Sequence, residues 1–260
     1  FHPYVSYSQS YRPATVTEAF LSGGPPGDSV GTNYAPNVHL RPERARTFEI
    51  GANVTVDGLL HDDDRLRMKV AAFQRDIDDY VVIGDVLADD VSDVVYLGFV
   101  NVDGTTRMRG VELEGTYDAG RFWVGGAFTW LTTEWPQSTE VFSNGTTTTS
   151  GDIFATAGNV PPKLKVLVDG GVRLFDESLS VGARVSHVTP TLSRELDTEG
   201  NLVERTEPYT TLDLYGSYRF SDAAMLRVAV TNVTDINYVP ASGSYSAPGR
   251  TFTASLKMKF

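Results

Sequence analysis

At 260 residues, 41% hydrophobic and 21% charged, the chain is long enough for one sizeable domain of any class, so patterning rather than composition has to decide the fold. The formal charge of -11 disfavours nucleic acid as a partner, because a phosphate-binding surface needs clustered Lys and Arg, and the lack of cysteine removes disulfides, thiolate metal sites and thiol nucleophiles. No apolar run reaches the roughly 18 residues of a membrane-spanning helix, which leaves a membrane barrel possible, since barrel strands need only about 9 to 11 alternating residues each.

Apolar residues at every second position predict strands with two unlike faces. The first such strand runs near Tyr4 to Tyr11. The pattern returns in Phe48, Ile50, Ala52, Val54 and Val56, then in Leu66, Met68, Val70 and Ala72, and again in Val111, Leu113, Gly115 and Tyr117. Phe122, Val124, Gly126, Phe128 and Trp130 give a fifth strand, and Leu164, Val166, Val168, Val172 and Leu174 a sixth. Leu179 to Val185, Leu212 to Phe220, Leu226 to Val230 and Thr251 to Phe260 follow, making about ten strands, an even number as single-chain bacterial barrels require.

The connections alternate in length. Short ones fall near Asp57 to Asp64, Asp118 to Arg121, Asp176 to Ser178 and Ser221 to Ala223. Long ones, rich in Gly, Pro, Ser, Thr, Asn and Asp, fall near Pro13 to Arg44, Gly84 to Val95, Glu134 to Pro162, Pro190 to Pro208 and Thr234 to Gly249. Short turns at one end and long loops at the other are the signature of outer-membrane barrels, and soluble sandwiches do not segregate loop length by end in this way. Phe252, Ala254, Leu256, Met258 and the terminal Phe260 share one face; this strand resembles the carboxy-terminal assembly signal of outer-membrane proteins and implies the barrel assembly machinery as a partner. With Phe260 at the periplasmic face, every long connection becomes extracellular. Tyr117, Trp123, Trp130, Trp135 and Tyr218 are expected near strand ends as interfacial girdles, while Glu49, Arg67, Lys69, Glu112, Glu114, Asp169, Arg173 and Arg184 are expected to face a hydrated lumen.

Two segments carry a family resemblance. Tyr11-Arg12-Pro13-Ala14-Thr15-Val16-Thr17-Glu18-Ala19-Phe20 and Pro36-Asn37-Val38-His39-Leu40-Arg41-Pro42-Glu43-Arg44-Ala45-Arg46-Thr47-Phe48-Glu49-Ile50-Gly51 resemble the two boxes that bracket one extracellular loop in haem and haemoglobin receptors of the TonB-dependent class. Phe73-Gln74-Arg75-Asp76-Ile77-Asp78-Asp79-Tyr80, Asn101-Val102-Asp103 leading to Arg109-Gly110-Val111-Glu112-Leu113-Glu114, Val230-Thr231-Asn232-Val233-Thr234-Asp235 with Tyr238, and Pro248-Gly249-Arg250-Thr251-Phe252 are similar to the wider class. The resemblance implies that residues 1–260 are the carboxy-terminal part of a transmembrane antiparallel up-and-down β-barrel of about 22 strands, whose plug, TonB box and earlier strands lie outside this sequence. It also implies a bacterial outer-membrane location, contact with lipid and energisation by the TonB complex through the missing part. The cargo it implies is an iron carrier, haem or a haem protein ahead of a ferric siderophore.

Candidate site residues follow from the same resemblance. One axial iron ligand in such haem receptors is commonly a loop His between the boxes, yet Leu21 to Ala35 holds none. His39, inside the second box where Asn is usual, is the one His on the extracellular side, since His2 and His61 map to the periplasmic end and His187 shares parity with Val181 and Val185; it is either a ligand contact or an ordinary rim residue. Tyr34 is either a phenolate partner for iron or a loop-packing ring. Tyr11, Arg12, Pro13, Glu18, Asn37, Leu40, Arg41, Pro42 and Glu43 form the boxes, with Glu43 expected to pair an Arg at the strand entrance. No hydrolase-like carboxylate pair, phosphate-cradling loop, resident metal site or cofactor motif emerges, so an enzyme is not expected. A passive pore and a soluble carbohydrate-binding sandwich are the competing classes.

Overall fold

A sheet whose strands alternate apolar and polar residues must give each face its own surroundings. The computed structural model describes residues 1–24, 34–87, 95–136, 139–143, 146–150, 161–196, 202–204, 206–241, 243 and 245–259. In chain order the elements are β1 (His2–Arg12), a short helix α1 (Val16–Phe20), β2 (Glu43–Asp57), β3 (Arg65–Asp78), β4 (Val81–Leu87), β5 (Val95–Asn101), β6 (Thr105–Asp118) and β7 (Phe122–Glu134). Then come β8 (Thr139–Ser143), β9 (Thr146–Ser150), β10 (Leu164–Leu174), β11 (Leu179–Val188), β12 (Leu192–Leu196), β13 (Leu202–Glu204), β14 (Tyr209–Ser221), β15 (Ala224–Thr231) and β16 (Thr251–Met258). Ten of these pair as one antiparallel sheet in the order β1-β2-β3-β6-β7-β10-β11-β14-β15-β16, so each lies beside the next long strand in the chain. This is the up-and-down wall that the alternation predicts, with β1 and β16 as its two open edges. The remaining six strands form hairpins, β4 with β5, β8 with β9 and β12 with β13, inside connections that sequence alone reads as loops.

The register divides the wall into faces. Val168, Val172, Val181, Leu214 and Val228 all point one way and are 43–49% exposed. No second sheet or helix layer packs over this face among the described residues. A contiguous apolar surface on this scale is not left against water, which is what a lipid-facing wall predicts. On β10, β11, β14, β15 and β16 this outer face carries no Asp, Glu, Lys or Arg within the paired register.

Towards the long-loop end, β2, β3, β6 and β7 outrun the apolar belt. Cross-strand partners place Gln9, Arg46, Asp76, Arg107 and Glu134 in one lateral row on the same outer face. Arg46 donates to Asp78 (2.7 Å), Arg107 to Asp76 (2.8 Å) and Arg109 to Glu134 (3.0 Å). Alternating signs across neighbouring strands neutralise one another, so the sheet continues past the hydrocarbon without exposing a greasy edge.

The inner face has its own repeat. Tyr4 lies opposite Gly51, Phe73 opposite Gly110, Trp123 opposite Gly171 and Tyr215 opposite Gly182, each a direct cross-strand pair. At every one of these glycines an added Cβ would sit within 2.5–2.7 Å of the partner ring, so the ring lies flat on the bare backbone. One such pair occurs in each of the first four hairpins closed at the long-loop end. Asp169 on this face accepts from Trp123 Nε1 (3.1 Å), the Tyr215 hydroxyl (2.8 Å) and Arg184 Nε (3.3 Å), and Arg173 forks onto Asp118 at 2.7 and 2.8 Å. Trp123 therefore belongs to the inner wall and not to a girdle, because its parity is opposite to that of Phe122 and Val124. Trp135 also leaves the expected girdle: it lies past the end of β7 and packs edge-on against Tyr80, centroids 5.1 Å apart.

The short-turn end is fixed by side chains. Asp64, 1% exposed, accepts from the backbone N–H groups of Leu59 (2.6 Å), Leu60 (2.7 Å) and His61 (2.9 Å) and from the Tyr117 hydroxyl (2.6 Å). The turn after β10 places Phe175, Asp176 and Glu177 in the left-handed region at φ 53, 50 and 64°, closed by Ser178 N donating to Phe175 O (3.0 Å). A tight hairpin asks for positive φ at the two central residues of its turn, here Asp176 and Glu177.

Candidate functional site at the long-loop end

The buried apolar cluster of the described residues lies outside the wall. Val82, Val100 and Val102 pack with Ala35 and Tyr80, so β4, β5 and the segment before β2 make a small core above the sheet. Burial raises the pKa of the Tyr80 hydroxyl, and the neighbouring Glu43 carboxylate raises it further.

The first box is a capped helix on a strand end. Pro13 follows β1 directly and, having no N–H, stops the ladder. Thr15 then caps α1: its side chain accepts from Glu18 N (3.2 Å) while Glu18 Oε2 accepts from Thr15 N (2.7 Å), a reciprocal capping box. Arg12 joins the two boxes. Its guanidinium donates to both oxygens of Glu18 at 3.0 and 2.8 Å and to both oxygens of Glu43, at 2.7 Å from Nε and 2.5 Å from Nη2. Burial disfavours charge on Glu18, but Arg12 and Thr15 outweigh it and hold the carboxyl below its usual range. Glu43 is itself buried and also accepts from Val81 N (3.0 Å), tying the start of β2 to β4. Tyr11, beside this clamp, points outward across from Arg44, whose guanidinium stands 6.0 Å over its ring.

The second box runs as a strap along β5. Tyr34 bridges to Gly23 on one side and, in parallel sense, to Leu97 on the other. Asn37, 6% exposed, donates Nδ2 to Phe99 O (3.0 Å) and accepts from His39 N (3.1 Å). Arg41 is held twice: its backbone N donates to Asn101 Oδ1 (2.9 Å), and its guanidinium donates to Asp79 Oδ1 at 2.9 and 2.7 Å. Leu40 is half-buried beside it, Pro42 exposed, and His39 exposed on a turn with Val38. Thus Arg12, Glu18 and Glu43 come together, Asn37 and Arg41 are bound to β5 and its flank, and Tyr34 is fixed by its backbone. Asn101 and Asp79 are the partners that sequence reading missed as site residues, since each lies far along the chain from the strap it holds. No group of His, Asp and Glu among the described residues is arranged to hold a metal ion.

At the other end of the wall, Phe252, Leu256 and Met258 share the outward face of β16 with exposures of 54–73%, while Phe260 lies outside the described residues. The segment 25–33 between the boxes likewise lies outside them.

Residues 1–233 match the model of the TonB dependent receptor-like β-barrel family. The chain belongs to this family. A probable TonB-dependent receptor of Haemophilus influenzae is 24% identical over 98% of this chain and 31% of its own length. The haem/hemopexin utilization protein C of Haemophilus influenzae strain 86-028NP is 28% identical over 44% of the chain and 17% of its own length. Among solved structures, a double mutant of the Serratia marcescens hemophore receptor HasR, in complex with its hemophore HasA and haem, superposes with a TM-score of 0.71 at 26% identity, over 99% of this chain and 37% of that one. A mutant of the ferric enterobactin receptor PfeA from Pseudomonas aeruginosa gives 0.65 at 17% identity, over 99% and 38%, a likeness of fold. The chain therefore spans about a third of the receptor relative and of both solved chains.

Proposed function

We propose that this TonB-dependent receptor barrel serves active uptake of an iron carrier across the bacterial outer membrane, with haem or a haem protein as the cargo and His39 as a ligand contact at the mouth. The observation that carries the reading is the built mouth. Arg12 locks the two boxes together, and the second box carries His39, a surface residue, on a strap fixed to β5. A neutral imidazole is a natural axial ligand for haem iron. The similarity to a haem/hemopexin utilization protein and to HasR supports haem over the siderophore alternative. Tyr34 is placed at the root of the same strap, where a phenol would be a second candidate contact. In the full receptor, a plug and TonB box beyond this sequence would couple release to the inner membrane, and the carboxy-terminal strand would meet the barrel assembly machinery.

The test is haem titration of the full-length receptor, followed by its absorbance band. His39→Ala should shift that band and weaken haem binding about tenfold or more. Haem binding with an unaltered band in the variant removes His39 from the site. Tight binding of a ferric siderophore without haem binding replaces haem as cargo, and uptake that persists when the proton gradient is collapsed makes the barrel a passive pore.

A further inference from the structure

The strap that carries His39 begins as a strand neighbour of β5 and then changes how it is held. Tyr34 pairs with Leu97, and Ala35 N donates to Leu97 O (2.9 Å) as in a ladder. Pro36 and Pro42 have no N–H to offer. From there the rungs are side-chain amides. Asn37 Nδ2 reaches Phe99 O (3.0 Å), while Asn101 accepts from Arg41 N (2.9 Å) and donates to Arg41 O (3.1 Å) and to Asp79 O (2.7 Å). Residues 97, 99 and 101, alternate positions of β5, thus hold residues 35, 37 and 41. Both asparagines are nearly sealed from solvent, at 6% and 4% exposure, whereas Val38 between the rungs is 60% exposed. The tripeptide Val38-His39-Leu40 is therefore an arch with both feet pinned, and Asn37 Oδ1 also accepts from the backbone N–H of His39 itself.

We infer that Asn37 and Asn101 are positioning residues, which fix the arch so that the His39 imidazole is presented to haem iron in one place. The inference rests on His39 contacting haem. A buried amide that makes both a donor and an acceptor bond has no isosteric substitute: Asp keeps the acceptor and loses the donor, and Ala loses both. Residues that orient a metal ligand from behind it typically change metal affinity about 10- to 100-fold when removed.

The experiment uses the full-length receptor in detergent, titrated with haem and read by its absorbance band and by the spin state of the ferric iron, with heat-modifiable gel mobility as the check of barrel folding. Asn37→Ala and Asn101→Ala should each weaken haem binding about tenfold or more and shift the absorbance band in the same direction as His39→Ala. Asn37→Asp, which keeps the cap on His39 N, should fall between wild type and Asn37→Ala. Free imidazole should restore the wild-type spectrum in both Asn→Ala variants, because the pocket survives and only the protein's own imidazole is misplaced; a mouth that has simply collapsed would not respond. If His39→Ala changes the spectrum while all three Asn variants match wild type, the positioning role is wrong and the haem contact stands. If His39→Ala is itself silent, the haem contact and the role built on it fall together.

Discussion

Asp64 shows how a single carboxylate can organise one end of a membrane wall. Three backbone N–H groups and a phenol converge on it in a turn outside the membrane. Burial works against its charge, but the Tyr117 hydroxyl and the N–H groups of Leu60, His61 and Leu59 outweigh burial and hold its pKa well below the usual carboxylate range. The folded pKa is thus depressed relative to an unfolded value of about 3.9, so the stability it contributes is present above that value and is lost as pH falls through the lower folded pKa. Asp64→Asn keeps an acceptor but sets an NH2 against donors. Hydrogen exchange at residues 58–64 should therefore be faster in Asp64→Asn than in wild type at neutral pH, and the two proteins should converge in strong acid. Equal protection at neutral pH would mean that the turn is held by its backbone alone.

At the level of strands, the repeated ring-on-glycine pair ties together the two strands of each of the first four hairpins closed at the long-loop end. Gly171 is the sharpest case, because an added Cβ would meet Val181 O at 2.4 Å and the Trp123 ring at 2.5 Å, one of them immovable backbone. Gly171→Ala should destabilise the barrel by about 1–3 kcal/mol, as overpacking does, and Gly171→Ala with Trp123→Ala should remove the ring clash and leave the backbone one. Thermal loss of heat-modifiable mobility reads both, and a Gly171→Ala protein as stable as wild type would show that the ring is not seated as described. All ten wall strands were legible in the sequence because hydrocarbon on one side and water on the other impose the period of two. Their upper ends were not, since Arg46, Asp76 and Arg107 put charge on the outer face where the pattern asks for apolar residues, and only the cross-strand pairing shows these charges cancelling. The hairpin of β4 and β5 was hidden for the opposite reason: Val81, Val82, Val100 and Val102 are apolar at successive or alternate positions and build a local core instead of a two-faced wall. The boxes could be read as motifs, yet nothing local in Asn101 announces that it holds Arg41, 60 residues away.

For the whole molecule, the open sheet explains where stability has to come from. Few wall side chains are buried, so the sheet has almost no core of its own, and its outer apolar residues gain their surroundings only from lipid. Adjacent residues on one strand should then respond in opposite ways to the same charge. Val168 faces outward and is 49% exposed, whereas Leu167 faces inward, into a cleft whose lining includes Glu114, Asp169, Arg67, Lys69 and Arg184. In the full-length receptor, Val168→Arg should cost up to about 2–4 kcal/mol, the value for Arg on the lipid face at mid-bilayer, and should lower the amount of assembled receptor in the outer membrane. Leu167→Arg places its guanidinium on the lumen side, where charged side chains of both signs already stand, and should assemble nearly as well as wild type. Heat-modifiable mobility and recovery from outer-membrane fractions measure both. Tolerance of Arg at 168 together with failure at 167 would reverse the assignment of faces, and with it the claim that this wall meets lipid on its Val and Leu side.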